Sequence, residues 1–291
     1  MGWAKTTTLL GISVYHTRAS QDSSWQARAQ IVDPPPSEQV IIDFIQEVTT
    51  PADCLITDYS QLLYWTNRLP PPELAEVSSN RLKSGFLTTP QLQEITNTYE
   101  CPIMAPVTGR IKNTVRDYFE WSKGEYHGQL RYDDDSQMIF FGHPLDSLEH
   151  LQPYTAQLGD YETNSVIFEI VAIESLPSQV QTGGTVPIKI VWQLQQIPEE
   201  EFTVFVQLRN SDNGTVASAD HQPYLGRLPF TKWPVNEPLA VVTWLDIPED
   251  VVAGAYSLYI GLYSPVTGER LHVFNDQTGE NAVRLVTFNI E

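Results

Sequence analysis

The sequence predicts an α/β plus all-β fold, with a small Rossmann-like α/β domain followed by an antiparallel β-sandwich domain. Two observations predict it. Between Ser37 and Phe141, short apolar runs alternate with stretches whose apolar residues recur at helical spacing. From Val166 onward the period changes to two, with β-branched and aromatic residues on alternate positions and turn residues between the runs. The first pattern implies βαβ units and a mainly parallel sheet; the second implies half-buried strands. The expected organisation is an N-terminal extension over 1–36, an α/β domain over 37–142, a linker over 143–164 and a sandwich over 165–291.

Taken in order, residues 1–36 have no sustained period and end in Pro34-Pro35-Pro36, which cannot continue a helix. Leu9–Tyr15, the longest early apolar run, is far short of the ~20 residues of a membrane span. It lacks a small-residue cleavage site and is not read as a signal peptide. Ile41, Phe44, Ile45 and Val48 then lie on one helical face, with Ser37 as cap and Thr50-Pro51 as stop. A buried strand over Cys54–Thr57 leads to Asp58-Tyr59-Ser60 and a helical stretch through Leu62, Leu63 and Trp65. After Pro70-Pro71-Pro72, Thr89-Pro90 starts a helix that buries Leu92, Ile95 and Tyr99. A second strand, Pro102–Val107, ends in Thr108-Gly109-Arg110, and a helix from about Asn113 buries Val115, Tyr118 and Phe119. Gln129–Tyr132 and Gln137–Phe141 form a hairpin around Asp133-Asp134-Asp135-Ser136.

In the second half, Ile188, Ile190 and Trp192 share a face, as do Val204, Val206 and Leu208, and Tyr256, Leu258, Ile260 and Leu262. Asp212-Asn213-Gly214 and Thr267-Gly268 supply the positive-φ positions of tight turns. Val283–Ile290 is the final strand.

A net charge of −19, spread over both halves, repels phosphate backbones, so nucleic acid is not an expected partner. The chain has no Gly-x-Gly-x-x-Gly loop after its first strand, no P-loop, no Gly-x-Ser-x-Gly elbow and no His-Glu-x-x-His. Its six histidines lack ligand spacing, so neither a metal nor another cofactor is expected, and no catalytic residue is assigned. The Asp133–Asp135 run reads as a solvated hairpin tip and Asn213-Gly214-Thr215 as a turn, although it also matches a glycosylation sequon. Cys54 and Cys101 each open an apolar run; two buried thiols and a disulfide are both open readings.

Two groups of candidate ligand-binding residues remain. Asp58 and Arg110 lie just past the carboxyl ends of adjacent strands, where open α/β sheets bind ligands. Arg68 and Arg81 flank the proline-rich loop beside them. These four suit a sugar or sugar-phosphate; the competing account is an ion pair that fixes the loop. In the sandwich, Asp220, Tyr224 and Trp233 place aromatic and polar groups on loops, which suits a carbohydrate or, alternatively, plugs the open end of the core.

Two gapped blocks carry a family resemblance. The first is Ile56-Thr57-Asp58, Asn67-Arg68-Leu69-Pro70-Pro71-Pro72-Glu73-Leu74, Arg81 through Thr88, and Thr108-Gly109-Arg110. The second runs through Trp192-Gln193, Phe202–Leu208, Asp220, Pro223, Gly226, Trp233, Gly254-Ala255-Tyr256 and Gly261-Leu262-Tyr263 to Thr267–Leu271. Together they resemble the soluble C-terminal region of bacterial membrane glycosyltransferases of the protein-mannosyltransferase type (family 39-like). The resemblance covers Ser37 to the end. It implies an extracytoplasmic location, a membrane-embedded glycosyltransferase portion as partner, and polyprenyl-phosphate sugars as donors. That family's catalytic acidic residues lie between early membrane helices, which nothing here matches, so none carries over. The expectation is a non-catalytic accessory region that positions acceptor or donor. The alternative is a free-standing carbohydrate-binding protein of the cell envelope.

Overall fold

The computed structural model describes residues 7–9, 12–14, 33–132, 137–274, 276 and 279–291. The Asp133–Ser136 tip lies outside them, as do Leu10, Gly11 and Tyr15 of the Leu9–Tyr15 run. The chain divides after Pro36 into two compact units. In the first, β1 (Thr7–Leu9) pairs antiparallel with β2 (Ile12–Val14).

The second unit, Ser37–Glu291, opens with α1 (Pro36–Val48), β3 (Leu55–Thr57), α2 (Ser60–Thr66), α3 (Ser79–Lys83) and α4 (Thr89–Tyr99). It continues with β4 (Ile103–Ala105), α5 (Arg110–Thr114), α6 (Arg116–Glu125), β5 (Gly128–Tyr132) and β6 (Gln137–Phe141). Here the Rossmann-like expectation is overturned. The sheet runs β3-β4-β6-β5, and only β3 and β4 are parallel; the other two pairings are antiparallel. Its first two strands are three residues long. Alternation of helix and strand signals read as repeated βαβ units, but the chain makes one such crossover and then folds back as a hairpin.

The remainder is a β-sandwich, and described residues of the second unit are predominantly strand and loop. Its strands are β7 (Gln152–Asp160), β8 (Ser165–Ile173), β9 (Gln179–Val180), β10 (Thr185–Leu194) and β11 (Thr203–Arg209). They are followed by β12 (Thr215–His221), β13 (Pro238–Asp246), β14 (Gly254–Tyr263), β15 (His272–Val273) and β16 (Val283–Ile290). One sheet has the order β13-β10-β8-β7-β15, the other β12-β11-β14-β16-β9. Ile188, Ile190 and Trp192 of the first meet Val204, Val206, Leu258 and Ile260 of the second in one core. The predicted alternation is what buries them.

The expected linker over 143–164 contains β7, which lies between β8 and β15. Only Leu158 and Gly159 of this strand are fully buried, so its apolar alternation is nearly invisible in sequence. The helical layer and the sandwich also share one core. Alternate residues of β6 face opposite ways: Met138 and Phe140 pack with Leu92, Tyr118 and Phe119, while Ile139 and Phe141 join the cluster that includes the sandwich. The Phe141 ring lies 5.3 Å from that of Tyr224. Trp244 of β13 donates its indole N–H to the carbonyls of Gln46 and Glu47 at the end of α1. Lys189 of β10 is salt-bridged to Asp53 in the loop before β3, with both side chains buried.

Candidate functional site

At the carboxyl ends of β3 and β4 the chain builds a cleft of about 420 Å³, lined by Asp58, Ser60, Ser78–Asn80 and Arg110 among others. The parallel pairing of Thr57 with Ala105 brings the two strand ends together, and the Thr57 hydroxyl donates to the Ala105 carbonyl at 2.7 Å. Asp58 is buried, and its carboxylate is used internally. One oxygen accepts from the Thr108 N–H at 2.9 Å and the other from the Ile111 N–H at 3.1 Å. Gly109, at φ 71°, makes the turn that lets both N–H groups face one carboxylate.

Arg110 is exposed and does not pair with that carboxylate; Nη1 donates to the Asp58 main-chain carbonyl at 2.7 Å. The expected ion pair is therefore a carboxylate capping two main-chain N–H groups, with the arginine laid over the back of the turn. Asp58→Ala is expected to cost about 2–4 kcal/mol, because two main-chain donors lose a charged acceptor. Asp58→Asn should recover part of this, and Arg110→Ala should cost under about 1 kcal/mol because the side chain is solvated. Denaturant titration of the three variants checks the order; an Arg110→Ala loss as large as that of Asp58→Ala would contradict it.

Arg68 is not at this cleft. It is buried, and Nε donates to the Thr49 hydroxyl at 2.8 Å while Nη1 and Nη2 donate to the carbonyls of Thr66 and Thr49 at 2.7 and 2.8 Å. It thus satisfies carbonyls beyond the end of α1 and at the end of α2. Burial pulls its pKa below the ordinary arginine value, and nearby Asp53 opposes that pull. Arg81 lines a different cleft, treated below.

The sandwich candidates do not converge either. Tyr224 and Trp233 are buried, their rings 6.5 Å apart. The Tyr224 hydroxyl donates to the Ala240 carbonyl at 2.8 Å, and the Trp233 indole to the Leu228 carbonyl at 3.0 Å. Burial pushes the Tyr224 phenol well above its usual pKa. Both rings close one end of the core. Asp220 is exposed on β12 and accepts from the Tyr263 hydroxyl at 3.2 Å.

Beside Asp220, His221 has a ring nitrogen 3.1 Å from the Thr243 hydroxyl. Burial lowers its pKa to about 4. The folded chain keeps this ring neutral where the unfolded chain, with an ordinary histidine near 6.5, already takes a proton. The contribution is complete above the ordinary value and is lost as pH falls from there toward 4. The expected loss is about 3 kcal/mol. His221→Gln should flatten the fall in unfolding free energy across that window, because the carboxylates common to both proteins cancel. Parallel slopes would contradict the assignment.

Sequence reasoning missed the charged and aromatic cover on the outer face of the second sheet. Arg209 lies over the Tyr259 ring at 4.5 Å and donates to Glu280 at 2.6 Å; Arg270 lies over Phe205 at 4.3 Å. The available signal was the alternation along β11, which sets Phe205, Gln207 and Arg209 on the face away from Val206 and Leu208. Cys54 and Cys101, at the start of the adjacent parallel strands, form a disulfide with Cα atoms 4.9 Å apart, which resolves the two readings left open by the sequence. Among the described residues, no helix is long and apolar enough to cross a membrane.

No family model matches the chain, and no curated protein matches it. Solved structures match over part of its length. A β-glucosidase from Listeria innocua in complex with isofagomine is 12% identical at TM-score 0.27, covering 42% of this chain and 16% of that one. The C-terminal domain of wzt is 9% identical at TM-score 0.30, covering 49% and 81%. A CARDB domain of the PF1109 protein from Pyrococcus furiosus is 11% identical at TM-score 0.26, covering 50% and 97%. The chain spans about a sixth of the β-glucosidase's length. Likenesses of this size fix neither a family nor a ligand.

Proposed function

We propose that this polypeptide is a non-catalytic accessory module on the extracytoplasmic side of a membrane, positioning acceptor or donor for a glycosyltransferase that uses polyprenyl-phosphate sugars. The observation that carries the reading is the Cys54–Cys101 disulfide, a bond that persists in oxidising compartments. It agrees with the location implied by the sequence resemblance. The core shared by the helical layer and the sandwich supports a positioning role, since it makes one body of the two. Recognition of carbohydrate through the sandwich loops is less well supported, because Tyr224 and Trp233 turn their rings into the core.

A photo-crosslinking residue at exposed Val252, introduced into the chain in its native envelope, tests this. The expected product joins the chain to a polytopic membrane protein, and the purified chain transfers no sugar from polyprenyl-phosphate mannose above a boiled control. Crosslinks to soluble proteins alone, or turnover by the purified chain, would reject the reading.

A further inference from the structure

We propose that the cleft between α4 and the segment over residues 73–87, which includes α3, binds a neutral saccharide. This proposal does not depend on the accessory role. The cleft measures about 800 Å³, and two aromatic rings open into it. Phe86 is 63% exposed and Tyr99 38% exposed, whereas Phe44, Phe119, Phe140 and Phe141 of the same layer are buried. Neither ring is loose. Gly85, at φ 75°, turns the chain so that Phe86 leaves the surface, and the Phe86 N–H donates to the Arg81 carbonyl at 3.0 Å. The Arg81 guanidinium packs 4.6 Å from the Phe86 ring centre and donates to the main-chain carbonyls of Glu73 and Glu76. The Tyr99 hydroxyl donates to the Glu73 carboxylate at 3.3 Å. The sequence-predicted candidate Arg81 thus serves as a support for an aromatic platform, away from Asp58.

One wall is a stripe of α4, the helix that ends in Tyr99. Gln91, Glu94, Ile95 and Thr98 line the cleft at helical spacing, while Leu92 and Thr96 face the interior. Three of these four are polar. A groove for an amphipathic partner helix would present apolar anchors at those positions. The Gln91 amide oxygen is held by the Thr88 N–H and hydroxyl at 2.9 Å, which leaves its NH2 to donate; with the Glu94 carboxylate as acceptor the pair suits hydroxyl groups, which both donate and accept. Exposed aromatic faces suit the C–H faces of a sugar ring.

Charge selects within the sugars. The cleft's cation among the described residues is Arg81, which is engaged with carbonyls and a ring, whereas Glu73 and Glu94 both line the cleft. On a chain of net charge −19, a phosphorylated sugar would be repelled. The class is therefore an uncharged oligosaccharide.

Calorimetry of the full chain against manno-, malto-, cello- and chitotetraose tests the proposal, with mannose and mannose 1-phosphate as a charge pair. At least one tetrasaccharide is expected to bind with a millimolar or tighter Kd. Phe86→Ala should weaken it roughly tenfold through loss of the platform. The variant's melting temperature should be little changed, since the ring is exposed, and Tyr99→Ala, which removes the second ring, should also weaken binding. Mannose 1-phosphate should bind no more tightly than mannose. No heat from any tetrasaccharide at roughly 10 mM, affinity unaltered in Phe86→Ala, or preference for the phosphate would overturn it. Self-association of the chain that is abolished by Phe86→Ala would do the same, by assigning the platform to a second copy.

Discussion

Replacing Lys189 by alanine is expected to destabilise the folded chain by about 3–5 kcal/mol. The ammonium group is buried on β10 and bonded to Asp53, whose other carboxylate oxygen accepts from the Thr50 N–H at 2.7 Å. Removing the cation leaves a buried carboxylate with no opposite charge on its Lys189 side. The effect should spread, because this pair joins the loop before β3 to the middle of the sandwich. Lys189→Met combined with Asp53→Asn should recover part of the loss: both charges of the pair are gone and the new amide oxygen can still accept from the Thr50 N–H, while buried Arg68 loses the nearby carboxylate. Urea titrations of the single variant, the double variant and the parent protein measure both numbers. A single-variant loss under about 1 kcal/mol, the range of solvated pairs, would contradict the buried geometry.

Removing the disulfide is expected to cost about 4 kcal/mol. Cys54 and Cys101 are separated by 47 residues, and closing a loop of that length restricts the unfolded chain by about that amount. Cys54→Ala with Cys101→Ala is the suitable variant, since a serine at fully buried position 101 would add a polar cost of its own. Because the helical layer and the sandwich share a core, the 37–291 unit should melt in one lower transition rather than losing the layer alone. An unchanged midpoint, or separate loss of the helices, would count against this.

The sandwich was legible because residue type alternates along its strands, even where both faces are covered. Val204, Val206 and Leu208 announce themselves by alternation. The mixed sheet was not legible. Leu55 and Ile56 are both buried, on opposite faces, so period says nothing about direction or partner. The targets of the candidate side chains were not visible in sequence. Asp58 reads as a ligand until its two acceptor oxygens are found on main-chain N–H groups far along the chain, at Thr108 and Ile111. Arg68 reads as a loop guanidinium until the ends of α1 and α2 are seen to converge on it. Tyr224 and Trp233 read either as loop aromatics for a ligand or as plugs for the open end of the core, and the burial of both rings bears out the second reading. Lys189 sits within an otherwise apolar strand, a signal that was present and unused.

The shared core also sets a timetable for biosynthesis. The inner face of the mixed sheet, with Leu55, Ile103, Leu130, Ile139 and Phe141, belongs to the same cluster as strands that the ribosome adds afterwards. At about 5–20 residues per second, the interval between β6 and β16 is on the order of ten seconds. Throughout it, the helical layer has Leu92, Tyr118 and Phe119 to pack on one side of its sheet and no sandwich on the other. A nascent chain paused at that stage exposes a sticky half-built sheet. Cys54 and Cys101, by contrast, have both been synthesised well before the pause. Were the pair oxidised at that stage, the waiting layer would hold a covalent brace before the sandwich arrives to cover it.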